Sequence, residues 1–113
     1  MDPDEIVFTV DVGGGDDGTV VAPRGELDVA TQAELRAALE RQAEHGSVTL
    51  DLSGLRFMDT SGLRLILETA EASRRGEFAF AVVPGSAAVQ RLFDVAGVTE
   101  LVPFRNDGER GRR

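Results

Sequence analysis

The stretch Val48–Arg64, VTLDLSGLRFMDTSGLR, constrains the chain most, because it begins as a strand and ends as a helix. Val48, Leu50 and Leu52 alternate with Thr49 and Asp51, the period of a pleated strand, and Ser53-Gly54 supplies turn chemistry. Leu55, Phe57 and Met58 follow as expected core residues. The polar run Asp59, Thr60, Ser61 and Gly62 then opens a helical stripe of Leu63, Ile66, Leu67 and Ala70. Two hydroxyls therefore sit at a helix start, where unpaired N–H groups and the positive end of the helix dipole favour an anion or an added phosphate.

Composition narrows what such a site can serve. At 113 residues the chain has room for one domain with a real core. It has no apolar run of about 18 residues, the length of a membrane span, and its start, MDPDEIVF, lacks the basic residues of a secretory signal, so a cytoplasmic location is expected. No cysteine is present, which excludes disulfides and thiolate chemistry, and a single histidine leaves little for zinc. No metal or cofactor is implied. The net charge of −8 opposes nucleic acid and anionic membranes and favours a protein partner with a basic face. All twelve basic residues are arginine, so no mechanism requiring an ammonium group is available.

In chain order, Ile6–Val12 and Thr19–Ala22 flank a glycine and aspartate cluster and predict an antiparallel hairpin. The glycine run lacks the Gly-Lys-Ser/Thr ending of a phosphate loop. Pro23–Asp28 is expected to leave the second strand. Val29–His45 has helical spacing, with Leu35, Ala38, Leu39 and Gln42 on one face and Thr31 and Glu34 placed for a capping box. His45, in the last turn, suits the negative end of that helix and is given no chemistry. A second helix is predicted over Ser61–Arg75 and a buried strand over Glu77–Val83. A third helix is capped by Ser86 and closed by Gly97, with Val98 as its hydrophobic contact, and Glu100–Phe104 reads as a last strand. From Arg105 onward, RNDGERGRR has no apolar periodicity and is expected to be a disordered tail on a domain of residues 1–104. The alternation of elements predicts an α/β fold with a mainly parallel five-stranded sheet, an antiparallel N-terminal hairpin and packed helices. Functional groups then gather at the carboxyl ends of the strands, where Asp59, Thr60 and Ser61 lie.

Several readings compete for Asp59–Gly62. The run can be purely structural, since Asp, Thr and Ser cap helices and a glycine lets a helix start close to the sheet. A hydrolase nucleophile lacks its partners: there is no Gly-x-Ser-x-Gly elbow, no lysine, and the one histidine lies at the far end of the first helix. A phospho-aspartate receiver lacks its lysine and its acidic pair.

Three segments together carry a family resemblance: GELD (Gly25–Asp28), LDLSGLRFMDTSGL (Leu50–Leu63) and VQRLFDVAGV (Val89–Val98). They resemble the STAS domain of anti-sigma factor antagonists, the anti-anti-sigma factors of bacterial partner-switching systems. The resemblance implies a non-enzymatic α/β domain that binds an anti-sigma factor, itself a serine/threonine kinase, and so frees a sigma factor. Phosphorylation by that kinase breaks the complex, and a phosphatase restores it. The acceptor slot, directly after the Asp of the motif, is Thr60, with Ser61 as second choice. Partner binding is expected from Asp59, Thr60, Ser61, Gly62, Arg64 and Leu65, the last two facing away from the buried stripe, and the domain is expected to be a monomer or weak dimer. Other STAS domains serve as scaffolds or bind ligands without a phosphorylation cycle.

Overall fold

The sheet is assembled on one strand. In the computed structural model, which describes residues 7–15 and 18–105, β2 (Gly18–Leu27) is bordered by β1 (Thr9–Gly15), β3 (Ser47–Asp51) and β4 (Leu55–Met58). β1 runs antiparallel to β2 from Thr9 opposite Arg24 to Gly15 opposite Gly18. The predicted hairpin is therefore present and its glycines belong to the strands; Ile6 and the tip, Asp16-Asp17, lie outside the described residues. β3 pairs parallel with Thr19–Val21, and β5 (Ala79–Val83) lies parallel beyond it. β4 pairs parallel with Gly25, Glu26 and Leu27. The result is a five-stranded mixed sheet, parallel except for the first pair.

Two strands differ from the sequence expectation. β2 does not end at Ala22: Pro23–Leu27 continues it, and this second half receives β4. The fifth strand is β4 rather than Glu100–Phe104. That C-terminal stretch instead forms a 3-10 turn over Thr99–Leu101 and touches the sheet through one bridge, Phe104 to Val82. Arg105 is not free either, since its N–H donates to the Val82 carbonyl at 2.8 Å; residues 106–113 of the expected tail lie outside the described residues.

The helices are α1 (Gln32–Ala43), α2 (Thr60–Arg74) and α3 (Ala87–Ala96). They close the core over Val21, Leu27, Val48, Leu50 and Leu52 with Leu35, Leu39, Ile66, Ala70, Val89 and Phe93. The capping box expected at α1 does not form. Thr31 Oγ1 donates to the Glu26 carbonyl at 2.8 Å and accepts from the Asp28 N–H at 2.9 Å, so it ties down the loop and caps nothing. α3 is capped as expected: Ser86 accepts from the Val89 N–H at 3.3 Å, and Gly97 takes a left-handed φ of 74° while the Val98 N–H returns to the Phe93 carbonyl.

Phe93 is fully buried and meets Phe104 edge-on at a centroid distance of 5.0 Å. This contact holds the C-terminal segment against α3. Phe93→Ala is therefore expected to cost about 3–5 kcal/mol in a denaturant titration, and Phe104→Ala, at a partly buried position, clearly less.

Candidate partner-binding site at the start of helix α2

Asp59 joins β4 to α2 in an extended conformation (φ −108°, ψ −171°), which turns its carboxylate back over the first helical turn. Its Oδ1 accepts from the Ser61 N–H at 2.9 Å, the Ser61 hydroxyl at 2.6 Å and the Gly62 N–H at 3.4 Å. The Ser61 hydroxyl contributes most to holding this carboxyl below the ordinary aspartate range, and partial burial opposes it. The N–H groups of Ser61, Gly62 and Val29 act in the same direction as the hydroxyl. Two N–H groups of the helix start, those of Ser61 and Gly62, are thus already engaged by the chain's own carboxylate.

The two hydroxyls differ. Ser61 is half-buried and its proton is committed to Asp59, whereas Thr60 is exposed and its hydroxyl has no hydrogen-bond partner among the described residues. Arg64, one turn further on, is exposed and in no ion pair among the described residues.

Two expected surface residues prove to be core. Leu65 is only 1% exposed, because α2 packs on α1 as well as on the sheet, and both the Leu63/Ile66 stripe and its neighbour are covered. Gly62 is also buried, and a Cβ placed there would lie 2.7 Å from Met58 Cγ and 2.8 Å from Leu27 Cδ2. The missing side chain makes room for the core, not for a partner surface. Of the six named candidates, Asp59, Thr60, Ser61 and Arg64 remain accessible in whole or part.

The loop after β2 completes the surroundings. The Asp59 N–H donates to the Leu27 carbonyl at 3.1 Å, and Val29, whose N–H faces the Asp59 carboxylate, is 77% exposed. Asp28 Oδ1 accepts from the N–H groups of Ala30 and Thr31, which fixes this loop beside Thr60's turn. Sequence reasoning passed over Val29 and also over Phe57, expected in the core but 48% exposed. In β4 the register slips between Gly25 and Glu26, so Arg56 is unpaired and Phe57 falls opposite Glu26 with its side chain outward. A bulge breaks the two-residue period on which the sequence expectation rested. Among the described residues no group of three or more His, Cys, Asp or Glu side chains is arranged to hold a metal, and no helix is long and apolar enough to cross a membrane.

Residues 9–110 match the STAS domain family. The chain belongs to that family. An "Anti-sigma-B factor antagonist" of Staphylococcus epidermidis is 33% identical over 89 residues, covering 77% of this chain and 82% of the relative. The crystal structure of an anti-sigma factor antagonist from Mycobacterium paratuberculosis superposes with a TM-score of 0.77 at 28% identity, covering 91% of this chain and 87% of that one. The Bacillus cell fate determinant SpoIIAA in its phosphorylated form shares the fold, with a TM-score of 0.63 at 19% identity over 95% of this chain and 98% of that one. STAS domains of this antagonist type are regulatory binding proteins, not enzymes.

The cap has a pH signature in this STAS domain. Because the Asp59 pKa is lowered by folding, its contribution is fully present above the unfolded value of about 3.9 and is lost as pH falls through the lower folded value. Asp59→Ala should cost about 1 kcal/mol at neutral pH and flatten the loss of stability below about pH 4, read by denaturant titrations across that range. Gly62→Ala should destabilise by about 1–3 kcal/mol through overpacking against Leu27 and Met58, seen as a lower melting temperature.

Proposed function

We propose that this STAS domain is an anti-sigma factor antagonist: unphosphorylated, it binds an anti-sigma factor that is a serine/threonine kinase, and phosphorylation of Thr60 breaks the complex. The observation that carries the reading is the contrast between an exposed, unengaged Thr60 hydroxyl and a Ser61 hydroxyl held by Asp59. A kinase must reach the acceptor oxygen and remove its proton; Thr60 offers both, and Ser61 would first have to give up a 2.6 Å hydrogen bond. The Staphylococcus relative's name supports the antagonist role, and SpoIIAA is a precedent for a phosphorylated protein of this fold. The partner surface comprises Asp59, Thr60, Ser61 and Arg64, ATP and magnesium belong to the kinase, and a phosphatase resets the cycle in the cytoplasm.

A phosphate on Thr60 adds about −1.5 to −2 charges. The Ser61 and Gly62 N–H groups are spent on Asp59, so the new charge stands next to a carboxylate. The helix dipole and Arg64, four residues on, offset this enough for the fold to persist. A partner seated on Thr60 must desolvate or repel the charge, and a penalty of ~3–4 kcal/mol weakens binding several hundredfold.

Incubation with the cognate anti-sigma factor and ATP should add a single phosphate, and fragment mass spectrometry should place it on Thr60. Phosphate on Ser61, or none, would refute the assignment. Thr60→Glu should bind the kinase weakly and Thr60→Ala at least as well as wild type, with both melting near the wild-type temperature.

A further inference from the structure

Between β4 and α3 runs a groove of about 290 Å³ with Phe57, Met58, Leu92 and Val95 among its walls and Arg56 and Arg91 beside them. Phe57 is 48% and Val95 74% exposed, and among the described residues no carboxylate lines the groove. Neither arginine is in an ion pair among the described residues. Asp94, the one acid of α3, is instead engaged by the Thr99 hydroxyl at 2.7 Å. In a chain of twenty acids and twelve arginines, a groove whose charged lining among the described residues is arginine runs against the average composition.

We infer that this groove is a docking surface for an acidic segment of the same partner protein, one that places a large apolar side chain against Phe57, Leu92 and Val95 and carboxylates on Arg56 and Arg91. The inference rests on the proposal that Thr60 faces a protein partner. Isolated exposed apolar residues are ordinary, but an aromatic ring, two aliphatic side chains and two unpaired guanidiniums around one groove have the make-up of an interface core. Carboxylates pair with guanidinium in a fixed two-bond geometry, so charge and shape select the same occupant. The groove is also close in the chain to the proposed acceptor, because Phe57 and Met58 end β4 and Asp59 and Thr60 follow directly. A partner covering Thr60 reaches the groove within a few residues. Nucleic acid or an anionic membrane would meet the same arginines but also the repulsion of the net charge of −8.

The test is calorimetric titration of the anti-sigma factor with wild type, Phe57→Ser, Arg56→Glu, Arg91→Glu, Thr60→Glu and, as a control on α1, Arg41→Glu. Circular dichroism confirms that each variant is folded. Each groove variant should bind at least about 10-fold more weakly than wild type, the two charge reversals should reduce the salt dependence of binding, and Arg41→Glu should match wild type. If Thr60→Glu abolishes binding while the groove variants bind normally, the groove is not part of the interface and the phosphorylation reading stands. If the groove variants fail and Thr60→Glu binds normally, the docking surface stands and the phosphorylation reading falls. Binding of wild type to phosphatidylglycerol vesicles or to single-stranded RNA, lost in the charge reversals, would overturn the protein partner, and failure of wild type to bind the anti-sigma factor would overturn both readings.

Discussion

The Asp59 carboxylate is the joint between sheet and helix. One oxygen collects the Ser61 and Gly62 N–H groups and the Ser61 hydroxyl, while the Asp59 main chain donates to Leu27 on β2 and accepts from Leu63 in α2. A helix start leaves four N–H groups without partners, and in a half-buried position each would be costly. Here the residue that leaves the sheet is the one that satisfies the helix. The direction of α2, and with it the location of Thr60 and Arg64, follows from that single residue.

Gly62 sets how close the joint can be. With Leu27 and Met58 within 3 Å of where a Cβ would stand, the first turn of α2 sits directly on the ends of β2 and β4. Leu65 and Ile66 then bury the helix on two sides. An element gripped so tightly has no evident second packing, so a charge added at Thr60 is felt at the surface and not in the core.

Much of this was legible in the sequence, for identifiable reasons. The alternation of Val48, Leu50 and Leu52, the polar break at Asp59–Gly62 and the stripe through Ala70 follow the periods of strand and helix, and both caps of α3 are written in side-chain chemistry at Ser86 and Gly97. Leu65 was not legible, since a periodicity argument assigns one buried face and tertiary packing on α1 supplied a second. β4 and the outward Phe57 were hidden by the bulge at Arg56, which reverses the alternation within a four-residue strand. Glu100–Phe104 has strand-like composition, but Val102 turns into the core and Phe104 toward Phe93, leaving a single bridge to β5. Which of the two adjacent hydroxyls is free likewise depends on the rotamer of Ser61, and no residue spacing reports it.

Charge shows the same limit of one-dimensional reasoning. A net charge of −8 favours a basic partner, and the groove between α1 and α2 agrees with it: Glu40, Glu44, Glu68 and Glu77 line it, and Arg36, the one arginine among the described residues there, is tied to Glu68 at 2.9 Å. The groove between β4 and α3 is the reverse: among the described residues its charged lining is Arg56 and Arg91. Fields from the two faces orient an approaching protein before contact is made, because like-signed surfaces repel in one alignment and opposite ones attract in the other. The uneven distribution of arginine, which the net charge conceals, is set by which side chains the fold brings to one groove.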